Sequence, residues 1–135
     1  MENEKIDSLV ARAVEVDLDG IDFLASFDYD TMKREYNGIG PASLKPELRE
    51  KLSMYLALFA PAALIHDMRY AASDRTRRNF NFANMEFLEN CIKLSNYAYS
   101  ILNWRRYRAW FVAGLMYKGV KSAFGWDAWC KAYER

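Results

Sequence analysis

The sequence predicts an all-α protein. Apolar residues recur at three- and four-residue intervals over long stretches, whereas the apolar–polar alternation that is typical of strands never persists for long. The apolar fraction of 52% includes nine tyrosines, eight phenylalanines and four tryptophans, which is enough to build a core. A chain of 135 residues has the size of one ordinary domain, so we expect residues 1–135 to fold as a single domain.

The first 35 residues are predicted to form a helix, a turn and a second short helix or irregular segment. Residues 4–16 carry apolar side chains at the spacing of an amphipathic helix: Ile6, Leu9, Val10, Ala13 and Val14. The segment DLDGIDF (17–23) interrupts this pattern. Its glycine stands fourth, whereas an EF-hand loop needs glycine in the sixth position, so we interpret the segment as a turn. Residues 21–35 follow, with Phe23, Leu24 and Phe27 expected to face inward.

The middle of the chain begins with its clearest loop, YNGIGPASLKP (36–46), which contains two glycines and two prolines. Pro46 suits the first turn of the next helix, where its missing N–H costs nothing. Pro61 removes a helical hydrogen bond and should kink this helix or begin a new one. The segment 61–73 is therefore predicted to be helical.

The C-terminal half is predicted to be helical as well. A polar, basic connection, SDRTRRN (73–79), precedes a helix from about residue 83 to residue 102. A further helical region covers roughly 105–122, and GWDAWCKAYER closes the chain. Within it, NWRRYRAWF (103–111) interleaves arginines with aromatics, a pattern compatible with core aromatics, with a lipid interface or with stacking on single-stranded nucleic acid.

The net charge of +1 conceals an asymmetry. Residues 1–35 carry ten acidic and four basic side chains, whereas residues 36–135 carry eight acidic and fifteen basic ones. We interpret 1–35 as an acidic helical extension that packs on a core of residues 36–135; the alternative is that it is a separate attachment. Because the overall charge is close to zero, we do not expect nucleic acid to be a partner.

Cysteine content and the N-terminus indicate an intracellular, cytoplasmic protein. Cys91 and Cys130 do not make a disulfide framework and are expected to be reduced. The beginning of the chain, MENEKIDSLV, is acidic where a secretory signal would be basic. The longest apolar stretch (54–65) is too short for a membrane span and contains Pro61, so we expect no transmembrane insertion.

The chain contains one histidine, in the segment IHDMRY (65–70). On a helix, His66, Asp67 and Tyr70 lie within one sector about a quarter-turn wide and can share one cleft. A lone histidine with polar neighbours is most often structural. A metal-dependent phosphohydrolase of the HD type is excluded, because it needs several histidines.

The loop YNGIG (36–40) carries glycines at alternate positions, which allows the backbone to turn its carbonyls toward one centre. Hard cations such as Ca²⁺ prefer oxygen ligands of this kind, and Asp67 could add carboxylate oxygens. The alternative is that Asn37–Gly38 simply forms a tight turn.

Together these residues resemble the phospholipase A2 superfamily, particularly its compact viral and phage-type members. The resemblance covers about residues 36–95: Tyr36, Gly38 and Gly40 match the family's Y-x-G-x-G calcium loop, and His66, Asp67 and Tyr70 match its H-D-x-x-Y helix motif. It implies a pair of antiparallel helices beside a Gly-rich loop. It further implies that the carbonyls of Tyr36, Gly38 and Gly40 and the carboxylate of Asp67 bind Ca²⁺ while His66 activates water.

The sequence departs from the family at the residue that orients the histidine. The viral and phage-type proteins supply an aspartate from the second helix, and FANMEFLENC (82–91) aligns Asn84 with it. An amide oxygen can accept the imidazole N–H, but it brings no charge to balance an imidazolium. Among other polar side chains, Asp74, Asn81 and Glu86 offer no obvious replacement.

We therefore expect a calcium-dependent, phospholipase A2-like acyl-ester hydrolase of phage or mobile-element type, weakened by Asn84 and encoded by a phage in a bacterial host. Its partner would be a phospholipid surface, and its catalytic residues would be His66, Tyr70 and Asn84. The alternative is a catalytically inactive phospholipase A2-like fold that binds a protein partner or serves a structural role in a phage-related system.

Overall fold

The computed structural model describes residues 3–36 and 46–134, and every regular element in this part of the chain is an α-helix. In chain order the helices are α1 (Asn3–Val16), α2 (Ile21–Leu24), α3 (Tyr29–Glu35), α4 (Pro46–Leu58), α5 (Ala60–Ala71), α6 (Arg77–Ala98), α7 (Trp104–Val120) and α8 (Ala123–Tyr133). The predicted all-α class is confirmed. Within the described ranges, no helix combines the length and the apolar character needed to cross a bilayer.

Helix α6 begins at Arg77 rather than at the predicted residue 83 and ends at Ala98 rather than at residue 102. Thr76 is its N-cap, and the Thr76 hydroxyl accepts a hydrogen bond from the Asn79 amide at 3.3 Å. Asp74 supports this cap by accepting hydrogen bonds from Thr76 and Asn79. The second half of SDRTRRN is therefore the first turn of the helix, and its polar residues concealed a capped N-terminus.

Of the segment 17–23 that was predicted to be a turn, residues 17–20 form a turn, whereas residues 21–23 belong to α2. Helix α6 holds this turn in place. Asn90 of α6 is fully buried; it accepts from the Asp19 amide at 2.8 Å and donates to the Asp19 carbonyl at 2.9 Å. The Lys93 ammonium lies 3.1 Å from the Asp17 carbonyl and 2.9 Å from the Asp19 carboxylate. Gly20 has φ +91°, and a Cβ there would come within 2.9 Å of the Ile65 side chain, so this position requires glycine.

The N-terminal helices share one core with the rest of the described chain. Ile6 and Ala13 of α1, Leu24 of α2 and Met32 of α3 belong to the same buried cluster as residues of α5, α6 and α7. A smaller cluster of Phe80, Ala83 and Trp129 joins α6 to α8, with Tyr70 packed against it. The acidic segment thus packs through apolar side chains, and the Lys93–Asp19 pair adds an electrostatic contact.

Helices α5 and α6 form an antiparallel pair joined by the short segment 72–76. Pro61 lies in the first turn of α5, so it begins a new helix instead of kinking an existing one. Near the connection Tyr70 packs on Phe80, and one turn farther away His66 packs on Phe87. This pairing sets the environment of the histidine.

Candidate active site around His66

His66 lies on the buried face of α5, opposite Asn84 of α6. Its Nε2 atom is 2.8 Å from the Asn84 Oδ1 atom, which is hydrogen-bonding distance. Both side chains are buried, with 8% of His66 and 1% of Asn84 exposed to solvent. The two residues that the sequence resemblance pairs are therefore in direct contact.

The carbonyl of Val120, at the end of α7, fixes the orientation of the Asn84 amide. Asn84 Nδ2 lies 3.3 Å from this carbonyl, which can only accept a hydrogen bond, so the amide nitrogen must face it. Oδ1 then faces the imidazole and can only accept. The proton of neutral His66 is therefore on Nε2, which leaves the lone pair on Nδ1.

Two aromatic rings enclose the imidazole. The ring centroid of Tyr70 is 4.5 Å from that of His66, and the Phe87 centroid is 4.9 Å away on the α6 side. Burial among these groups lowers the pKa of His66 to about 4, although the hydrogen bond with Asn84 acts in the opposite direction. The imidazole is consequently neutral at physiological pH.

We expect the histidine signals in an NMR titration to move with a midpoint near pH 4 and to stay constant between pH 6 and 8. The folded pKa lies below the unfolded value of 6.5, so above pH 6.5 His66 is neutral in both states and does not reduce the stability. Below pH 6.5 the unfolded chain takes up the proton first, and the free energy of unfolding falls by about 3 kcal/mol as the pH drops to about 4. Urea unfolding of His66→Gln, which lacks the titrating group, should show a smaller acid-induced loss. A histidine midpoint near 6.5 would contradict the prediction.

Tyr70 is the third member of the network. Its hydroxyl donates to Asn84 Oδ1 at 3.2 Å and also lies 3.5 Å from the Val120 carbonyl. Burial raises the pKa of Tyr70, and the negative charge of Asp67 adds to the increase, so the phenol keeps its proton. Asn84 Oδ1 thus accepts from both the imidazole and the phenol, which restrains the amide.

Of the four residues predicted to bind calcium, the described part of the chain includes Tyr36 and Asp67, whereas Gly38 and Gly40 lie outside it. Tyr36 follows α3, and its half-buried side chain packs against the main core. Burial raises the pKa of Tyr36 to about 12, and the Asp67 carboxylate contributes to this increase. The start of the loop and the aspartate of α5 therefore lie within electrostatic reach of each other.

No group of three or more His, Cys, Asp or Glu side chains within 3–36 and 46–134 is arranged to hold a metal ion. The predicted calcium set contains one such side chain, Asp67, and otherwise uses backbone carbonyls. The finding therefore does not bear on that set. Asp67 is half-buried and makes an interaction within the protein.

The other polar side chains near the histidine in sequence have separate roles. Asp74 follows α5 and accepts hydrogen bonds from Thr76, the N-cap of α6, instead of reaching the imidazole. Glu86 is 5% exposed and forms a bidentate ion pair with Arg69, at 3.0 and 2.9 Å. Asn81 is exposed, whereas Asn84 is buried. None of the three replaces the missing charge beside His66.

Sequence reasoning did not identify two groups that shape this site. The Val120 carbonyl reaches Asn84 from 36 positions away, and a backbone acceptor leaves no trace in residue type. Phe87 is one of several apolar residues in the α6 sequence. Its spacing from Asn84, three residues along one helix, is the signal that could have placed it beside the histidine.

Comparisons with models of protein families, with curated proteins and with solved structures find no match to this chain.

Proposed function

We propose that this protein is a calcium-dependent, phospholipase A2-like hydrolase of acyl esters, of phage or mobile-element type, with low turnover. The observation that carries the proposal is the 2.8 Å contact between His66 Nε2 and Asn84 Oδ1 across two antiparallel helices. These are the two positions that the H-D-x-x-Y motif and the second helix pair in the superfamily that the chain resembles. Tyr70, the last residue of the motif, joins the same network.

The network suits His66 to act as a general base. Asn84 holds the Nε2–H tautomer, so the Nδ1 lone pair can take a proton from a water molecule that attacks an ester carbonyl. The imidazolium that results has an amide beside it instead of a carboxylate, and burial disfavours its charge further. Both effects make His66 a weak base and account for the low turnover that we propose.

The donors Tyr36 and Asp67 suit a hard cation, since one offers a backbone carbonyl and the other a carboxylate. The Asp67 carboxylate contributes to the raised pKa of the Tyr36 phenol, so the aspartate lies near the residue that begins the loop. By the resemblance, Gly38 and Gly40 would complete the ligand set. When bound, Ca²⁺ would supply a positive charge that stabilises the oxyanion and holds the substrate phosphate.

The direct test is fatty-acid release from phospholipid vesicles, with Ca²⁺ and with a chelator. We expect slow release that depends on Ca²⁺, that His66→Ala abolishes, and that Asp67→Asn reduces strongly. Two matched controls, Asn81→Ala on the exposed side of α6 and Asp127→Asn on α8, should retain the wild-type rate. Release that is equal in wild type and His66→Ala would refute the hydrolase.

The second candidate is a catalytically inactive fold of the same type that binds a protein partner. The near-complete burial of His66 and the neutral side chain of Asn84 favour it. Calorimetric titration with Ca²⁺ separates the two candidates. Saturable binding that Asp67→Asn weakens supports the hydrolase, whereas no saturable binding up to millimolar Ca²⁺ supports the inactive module.

A further inference from the structure

Helix α7 exposes an apolar stripe to solvent. Trp104, Phe111 and Leu115 fall within about 40° of one another around the helix axis, and each is more than half exposed. The opposite side of α7 is buried through Ala109, Val112 and Ala113. The helix is therefore apolar on two sides, only one of which is used by the described fold.

Further exposed apolar side chains occur in the chain just beyond both ends of α7. Leu102, just before α7, is 94% exposed, and Phe124, in the first turn of α8, is 89% exposed. Isolated exposed apolar residues are common on protein surfaces. Here they follow one helix of 17 residues, about 25 Å long, and the segments at its two ends. We name the aligned residues Trp104, Phe111 and Leu115 the α7 stripe.

Basic side chains flank the α7 stripe, and the surrounding sequence has no acidic ones. Arg108 and Lys118 lie on either side of the line through Trp104, Phe111 and Leu115, at about 40° from it. Both are exposed. Residues 90–126 contain six lysines and arginines and no aspartate or glutamate. This surface thus combines an apolar centre with positively charged borders.

We propose that the α7 stripe docks on an anionic lipid surface, with its apolar side chains in the headgroup–acyl boundary and Arg108 and Lys118 on lipid phosphates. An apolar centre with basic borders is the pattern of helices that lie in the plane of a membrane. Leu115 offers neither a stacking face to nucleic acid bases nor a donor to phosphates, and the net charge of +1 does not favour a polyanion as the partner. Two copies facing each other through this stripe would oppose basic side chains without acidic partners.

Docking of this kind does not depend on ester hydrolysis, so it stands apart from the proposed function. It also has a structural connection to the site. The Val120 carbonyl ends α7 and accepts a hydrogen bond from the Asn84 amide. The helix that would contact lipid is thus the helix that orients the Asn84 amide.

The test is co-sedimentation of the full chain with vesicles of phosphatidylcholine, alone or with 30 mol% phosphatidylglycerol, in a chelator-containing buffer. We expect binding that requires phosphatidylglycerol and weakens with salt. Arg108→Gln with Lys118→Gln should lower the affinity about 30-fold, since each basic residue near an anionic surface contributes about 1 kcal/mol. Phe111→Ser with Leu115→Ser should lower it at least about tenfold.

Matched controls lie on other helices. Arg12→Gln with Arg34→Gln removes two exposed positive charges, and Val14→Ser with Met54→Ser removes two half-exposed apolar side chains. Both should change the affinity less than twofold. The proposal is overturned if the protein binds neither vesicle type or binds both equally, or if the control variants lose as much affinity as the stripe variants. It is also overturned if the protein forms a dimer that Phe111→Ser disrupts, or if it binds single-stranded nucleic acid in preference to the vesicles.

Discussion

Replacing Asn84 by aspartate is expected to raise the rate of acyl-ester hydrolysis by about a hundredfold or more. In a serine-protease triad the reverse change, from aspartate to asparagine, lowers turnover about 10⁴-fold. Aspartate at position 84 would place a negative charge 2.8 Å from His66 Nε2, stabilise the imidazolium and raise the pKa of His66 well above about 4. The measurements are fatty-acid release with Ca²⁺ and an NMR titration of the single histidine.

The same substitution should reduce stability. A carboxylate cannot donate to the Val120 carbonyl as the Asn84 amide does, so an oxygen would face an oxygen there, at a cost of about 1–3 kcal/mol. Asn81→Asp adds the same charge on the exposed side of α6 and should leave both the rate and the histidine pKa unchanged. If Asn84→Asp raises the histidine pKa and the rate stays the same, His66 is not the base.

Replacing Glu86 by alanine is expected to destabilise the fold by about 3–5 kcal/mol, which is a large share of the stability of a domain of this size. Glu86 is 5% exposed and is the bidentate partner of Arg69, whose guanidinium also stacks on Phe23 at 3.9 Å. Without Glu86, a largely buried positive charge would remain between α2 and α6. Chemical unfolding at neutral pH gives the change in free energy.

An exposed ion pair provides the control for this prediction. Lys131 and Asp127 are 3.0 Å apart on α8, and both side chains are mostly exposed. Asp127→Ala should change stability by less than about 0.5 kcal/mol, because solvent screens such a pair. If Glu86→Ala and Asp127→Ala reduce the free energy of unfolding by similar amounts, burial of the Arg69–Glu86 pair contributes nothing to stability.

The helical class could be predicted from the sequence because it depends on local periodicity. Apolar spacing identified α1, and proline marked the beginnings of α4 and α5. The predicted start of α6 was wrong by six residues, because Thr76 and the residues around it are polar and have no apolar periodicity. Their capping hydrogen bonds depend on the conformation that the chain adopts after α5.

The site could be predicted only in part. The resemblance paired His66 with Asn84, which are 18 positions apart, and the antiparallel packing of α5 and α6 brings them into contact. The low pKa of His66 was not predicted, since it depends on how completely Tyr70 and Phe87 enclose the ring. The loop positions Gly38 and Gly40 remain a prediction from the motif.

Three features follow from the amino-acid sequence alone: the helical class, the sector of α5 that carries His66, Asp67 and Tyr70, and the uncharged side chain at position 84. Each of these follows from residue type or from spacing along one helix. The tautomer of His66 and its low pKa arise from packing between helices. The tautomer depends on the Val120 carbonyl and the pKa on burial, both of which arise when distant helices pack together.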